Sequence, residues 1–171
     1  MSIDSAFEWS RIGDIDEGRK NLGDQMPVAV YRLMQYTIMD ELVDSLGKEG
    51  SEWLMRRAGF RAGYALATNL LDVSVDFGTF VSQLQKTLKD LKIGILKIEK
   101  MDLEKLNFTL TVDEDLDCSG LPVYGDTVCF YDEGFIAGVL EAYTKKKFVV
   151  REVDCWATGD RTCRFTAAQE G

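Results

Sequence analysis

Leu106-Asn107-Phe108-Thr109-Leu110-Thr111-Val112 alternates apolar and polar residues without a break. Successive side chains of a strand point to opposite faces, so this stretch predicts a strand with one buried face. Ile93 to Met101 reads as a weaker strand, joined to it through Asp102 to Lys105. Upstream of both, the apolar period is helical. Fold class turns on this change of period.

Working back toward the N-terminus, Phe80, Leu84, Leu88 and Leu91 recur at helical spacing after Asp76 and predict the inner face of a third helix. A second helix is expected from about Ser51 to Leu71. Its Ala58, Gly59, Ala62, Gly63, Ala65 and Ala67 let another backbone come close, which places it centrally in a helix layer. A first helix follows Pro27, a residue suited to a first turn, with Val30, Leu33, Met34, Ile38, Leu42, Val43 and Leu46 as one stripe and Gly47 as its end. Residues 1–26 carry Gly and Asp with isolated apolar anchors at Phe7, Trp9, Ile12 and Ile15. They read as an irregular arm that packs on its own domain or on a second subunit.

Downstream, a Gly-containing acidic loop at 113–126 precedes a short helix from about Asp132 to Ala142, where Gly134 and Gly138 again suggest close packing. Strands at about 147–156 and 161–168 form a closing hairpin around Thr158-Gly159-Asp160. Helices come first, then an antiparallel sheet interrupted by one helix. This is an α+β order, with residues 27–171 as a single domain after the arm.

A net charge of −9 and an isoelectric point near 4.6 disfavour nucleic acid and anionic membrane as partners. Lys145-Lys146-Lys147 reads as a solvated turn. The N-terminal residues lack the cationic and apolar segments of a signal peptide, and no apolar run approaches a membrane span. A cytoplasmic location is expected, where clustered cysteines point to metal before disulfide. The chain has no histidine, so Ser-His-Asp and Cys-His nucleophile systems and imidazole acid–base roles are excluded.

Cys129, Glu152, Cys155 and Cys163 offer three sulfurs and a carboxylate, a donor set that zinc accepts. Cys155 and Cys163 can share a face if their connection is odd in length or bulged, and Glu152 can join them only if the strand is irregular between 152 and 155. Cys129 stands before a helix, where amide dipoles favour a thiolate. Arg161 and Arg164 are candidate compensating charges, and Cys118 is left over as a spare ligand or an inert thiol. A Cys155–Cys163 disulfide, an iron–sulfur cluster and unliganded buried cysteines stay open as alternatives.

At these residues the chain resembles the 4-vinyl reductase domain family. The resemblance rests on Cys129, on Glu133-Gly-Phe-Ile-Ala-Gly138, and on Glu152-Val-Asp-Cys155 through Thr-Gly159-Asp-Arg-Thr-Cys163-Arg-Phe165. It extends to Met26-Pro-Val-Ala-Val-Tyr-Arg32 and Ala58-Gly-Phe-Arg-Ala-Gly63. It implies a small-molecule-binding α+β domain, often a homodimer, related to vesicle-tethering subunits and to haem-based nitric-oxide sensors. The Cys129, Glu152, Cys155 and Cys163 spacing is similar to that of zinc ligands in sensory domains of aromatic-responsive regulators. Phenol-sensing members hold the ligand hydroxyl with a His and a Trp, and no His is present here. Those regulators continue into an ATPase and a helix-turn-helix, whereas this sequence stops at Gly171, so output through a partner protein is expected.

The function expected is binding of a small hydrophobic or aromatic molecule between the third helix and the sheet. The candidate lining is Phe77, Phe80, Leu84, Phe108, Leu110, Phe135 and Val139. A vinyl-reductase-type enzyme or accessory factor of tetrapyrrole metabolism is the alternative, but no dinucleotide fingerprint, P-loop or flavin motif is present. A dimeric scaffold is the third reading.

Overall fold

Four glycines on two helices set the architecture of the computed structural model, which describes residues 7–171. Gly59 and Gly63 lie on α2 (Val28–Leu70), and Gly134 and Gly138 lie on α4 (Phe130–Thr144). A Cβ added at Gly63 would overlap the Phe135 carbonyl, and one at Gly134 would overlap the Arg56 carbonyl. Gly59 meets the Tyr131 carbonyl and Gly138 the Phe60 carbonyl in the same way. Each helix therefore opens a notch for the other's backbone, and no side chain larger than hydrogen fits at the four crossings. The small residues expected to draw a second backbone close do so.

The expected antiparallel sheet is present, with four strands. These are β1 (Ile95–Asp102), β2 (Asn107–Asp113), β3 (Phe148–Asp154) and β4 (Cys163–Gln169), in the order β1-β2-β4-β3. Phe108, Leu110 and Val112 are buried, as the alternation of β2 requires, whereas Leu106 adopts φ 51 in the turn before the strand. Helix α3 (Phe77–Asp90) is capped by Asp76, whose carboxylate accepts the Thr79 N–H at 3.0 Å. It lays Phe80, Leu84 and Leu88 on the core. Leu91, expected on the same face, is exposed at the helix's C-terminal end.

Two expectations are corrected. The stripe Val30, Leu33, Met34, Ile38, Val43 and Leu46 has the helical period but stays exposed, Leu33 at 68%. Residues 28–46 are held instead by polar contacts to the loop after β2. Tyr36 donates to the Asp117 carbonyl at 2.9 Å, and Arg32 donates to the carbonyls of Leu116 (2.8 Å) and Ser119 (2.9 Å). Gly47 (φ 72, ψ 171) breaks the rod without ending it, and α2 resumes to Leu70. The second correction concerns the arm. Among its described residues, Trp9–Ile12 form a 3-10 turn and Ile15–Gly18 form α1, a single turn capped by Asp14. Trp9 packs against the chain's own core. Residues 1–6 lie outside the described residues.

The glycine notch makes a direct prediction. Gly63→Ala and Gly134→Ala should each cost about 3 kcal/mol or more in chemical unfolding, because backbone and not a movable side chain obstructs the new methyl. Gly18→Ala, with nothing within 4 Å, should change stability by under about 0.5 kcal/mol.

Candidate metal centre and ligand cavity

All four cysteines converge. Cys118, Cys129, Cys155 and Cys163 place their sulfurs within 4.8 Å of one another, and none is more than 1% exposed. Cys129 is the residue that begins α4, as its position before a helix suggested. Cys163 opens β4. Cys155 follows β3, whose register shifts between Glu152 and Asp154. The bulge that the sequence required is there, although the connection is a 3-10 turn over Trp156–Thr158 and not a tight three-residue loop. Cys118 comes from the loop after β2, where the Asp115 carboxylate accepts the N–H groups of Asp117 (2.7 Å) and Cys118 (3.3 Å).

Glu152 is displaced from the role expected of it. Cys118, and not Glu152, completes the group of four. The Glu152 carboxylate accepts the Cys129 N–H at 3.0 Å, and its own N–H donates to Glu133 at 2.8 Å. Glu133, 4% exposed, also pairs with Arg56 of α2. A buried polar chain thus runs from α2 through α4 and β3 to the backbone of Cys129. Arg164 is engaged by Glu99 and Asp154, and Arg161 lies over the Trp156 ring at 4.7 Å, so both expected countercharges have other partners.

The sulfurs suit a tetrahedral cation. Zinc–sulfur bonds of about 2.3 Å imply a sulfur–sulfur edge of about 3.8 Å. Cys129 stands 3.8 Å from Cys155 and 3.9 Å from Cys163. Cys118 and Cys163, at 2.9 Å, would part by about 1 Å to reach that edge. Hydrogen bonds among the thiols, those with Cys118 first, drive Cys155 toward its thiolate and Cys129 and Cys163 away from theirs. One anion forms readily in this group; more need a cation to neutralise them. Burial, then the charge of Cys155, pushes the Glu152 carboxyl up to about 8.

The seven expected lining residues meet at one place. Phe77, Phe80, Leu84, Phe108, Leu110, Phe135 and Val139 all border an interior cavity of about 50 Å³ under α3 and α4. Phe77 stacks on Phe108 with ring centres 5.4 Å apart, and Phe80 stacks on Tyr143 at 4.3 Å. The wall is apolar except for Asp115 and Asp132. A second, larger pocket of about 560 Å³ shares Ile93, Asp132 and Phe135 with the first, and Trp9 of the arm, Tyr31 and Tyr131 also line it. An engineered cavity of about 150 Å³ is needed for benzene, so the small cavity alone takes no aromatic ring. The larger pocket lies within the range of about 300–1,000 Å³ usual for ligand sites.

The acidic groups at this junction were missed in the sequence because they are scattered among ordinary loop and helix-start carboxylates. Burial, then Asp117, pushes Asp115 up to about 7. Burial, then Asp115, pushes Asp132 well above the usual carboxylate range. Asp115, Cys129 and Asp132 bring their ligating atoms within 4.8 Å of one another.

Known proteins resemble this chain in both sequence and fold. Residues 108–169 match the family model of the vinyl-4-reductase domain. The family read from the cysteine and glycine signature is the right one. The match runs from β2 to β4 and contains all four cysteines. The uncharacterized protein MJ0150 of Methanocaldococcus jannaschii is 26% identical over 153 residues, spanning 85% of this chain and 78% of its own. A vinyl-4-reductase family protein from Methanocaldococcus jannaschii superposes with a TM-score of 0.63 at 20% identity, over 98% of this chain and 99% of that one. The phenol-responsive sensory domain of the transcription activator PoxR, solved with phenol, gives 0.66 at 18% identity over 84% and 75%. The α+β fold is therefore that of vinyl-4-reductase family structures. No helix among the described residues is long and apolar enough to cross a membrane.

Burial of the four thiols has a simple readout. Native protein should show under about one thiol reactive toward Ellman's reagent, rising to four in denaturant with chelator.

Proposed function

We propose that the chain is a small-molecule-binding sensory domain with a structural zinc ion, acting through a partner protein. The observation that carries this reading is the convergence of seven inward residues on an apolar cavity beside a pocket of ligand size. The body of a hydrophobic or aromatic molecule fills the larger pocket and abuts the apolar cavity. PoxR, whose sensory domain has this fold, responds to phenol. Phenol itself is a poor candidate here, because the chain has no histidine to hold its hydroxyl.

Zinc is assigned to Cys118, Cys129, Cys155 and Cys163. Four soft donors and no imidazole suit zinc, and a closed four-sulfur set leaves no position for substrate. The ion's role is mechanical. It ties the loop after β2, the start of α4 and the β3–β4 connection together, with about 10–16 kcal/mol available by comparison with zinc-finger peptides. Because α4 also carries Asp132, Phe135 and Val139, the metal and the cavity wall move as one piece.

The exposed stripe on residues 28–46 supports a homodimer in which a second copy covers Leu33, Met34 and Ile38. Leu33→Asp combined with Ile38→Asp should turn a dimer into a folded monomer by light scattering. A wild-type monomer at micromolar concentration would rule the dimer out.

Two further measurements test the reading. Protein purified without chelator should hold one zinc per chain. Cys118→Ala should lower that content sharply, whereas Glu152→Gln should keep it; the reverse pattern would restore the carboxylate as the fourth ligand. A panel of aromatic and aliphatic molecules should contain some that raise the melting temperature by several degrees, corresponding to about 2.7 kcal/mol at a hundredfold excess over Kd. A panel with no effect at millimolar concentration would contradict the sensory reading.

A further inference from the structure

The junction between the two pockets joins aromatic faces to carboxylate oxygens that have no partner. Asp132 Oδ2 is buried and accepts no hydrogen bond. Asp117 is 4% exposed; Tyr31 donates to its Oδ1 at 2.8 Å, while Oδ2 is unpaired beside Gln35, whose Oε1 is unpaired as well. Both carboxylates face the larger pocket, and Asp132 also faces the apolar cavity. Trp9, Tyr31, Tyr131 and Phe135 supply aromatic surface to the same pocket.

This combination is selective in chemical terms. Buried carboxylate oxygens without donors are costly, and a charge-assisted hydrogen bond from a ligand removes that cost. Aromatic faces attract cations through their quadrupoles and hold ammonium groups better once water is excluded. Among the described residues the wall holds one cation, Arg61, and that side chain is exposed. An anionic head would meet Asp117 and Asp132 unshielded. A neutral hydroxyl would satisfy one oxygen and gain nothing from the rings.

We propose that the pocket recognises an organic ammonium: a molecule with an apolar aromatic or alkyl body and a protonated amine placed between Asp132 and Asp117. The body lies against Phe135 toward the apolar cavity. The ammonium donates to Asp132 Oδ2 and Asp117 Oδ2 while the rings of Trp9, Tyr31 and Tyr131 surround it. The proposal rests on the sensory reading above and adds the charge of the ligand's head to it.

Calorimetric titration of the metal-loaded protein with three probes of one carbon skeleton tests it: 2-phenylethylamine, 2-phenylethanol and phenylacetate. The amine should bind about tenfold tighter than the alcohol or more, with phenylacetate weakest, since one such charged contact is worth about 1.5–3 kcal/mol. Asp132→Asn and Asp117→Asn should each shrink that preference. The wild-type ranking decides the matter even if a variant fails to fold. Equal or tighter binding of the alcohol, or tighter binding of phenylacetate, would overturn the ammonium assignment and leave an apolar-ligand sensor standing. Binding of none of the three would count against both. A second equivalent of bound metal, lost in Asp132→Asn, would give the carboxylates to an ion and also overturn the assignment.

Discussion

Backbone-to-backbone contact between α2 and α4 is the constraint on which the rest of the structure depends. Gly59, Gly63, Gly134 and Gly138 let two carbonyl ladders approach where any Cβ would collide. That contact fixes both the height and the rotation of α4. Its first turn then delivers Cys129 to the other sulfurs and Asp132 to the pocket junction, and the turns that follow deliver Phe135 and Val139 to the cavity. The Arg56–Glu133 pair locks the same two helices where Glu133 receives the Glu152 N–H. Helix packing, sulfur cluster and cavity wall are consequences of one close approach.

The cavity and the sulfur group are neighbours by the same logic. Asp115 accepts backbone N–H groups in the loop that carries Cys118, and its carboxylate also borders the cavity. A ligand touching Asp132 or Asp115 therefore touches a loop and a helix start that the metal tethers. Motion of that joint is restrained by metal–sulfur bonds on one side and by soft apolar packing on the other. Such an arrangement suits a sensor: occupancy changes the soft side and the tether carries the displacement outward, to the polar contacts that Tyr31, Arg32 and Tyr36 make with the same loop.

Legibility in the sequence followed the range of the interactions. The alternation of 106–112, the cap at Asp76 and the inward faces of α3 and β2 were readable because each is decided within a few residues. The cavity lining followed from those faces. The stripe from Val30 to Leu46 was read with the correct period and the wrong partner, since periodicity says that a face is apolar and not what covers it. Glu152 was favoured over Cys118 because its spacing to Cys155 is local, while Cys118 reaches the cluster only through the fold of an acidic loop. The bulge between Glu152 and Asp154 was demanded by pleat geometry. It moves the chain by one residue, and the Glu152 carboxylate ends on the Cys129 N–H instead of among the sulfurs.

X-ray absorption at the zinc edge, on protein as isolated, tests the four-sulfur tether most directly. The expected spectrum has four sulfur scatterers at about 2.3 Å and no light-atom shell at bonding distance. Three sulfurs with one oxygen at about 2.0 Å would return Glu152 to the metal and contradict the placement of Cys118. An absence of zinc from undepleted protein would remove the tether on which the coupling of cavity to output depends.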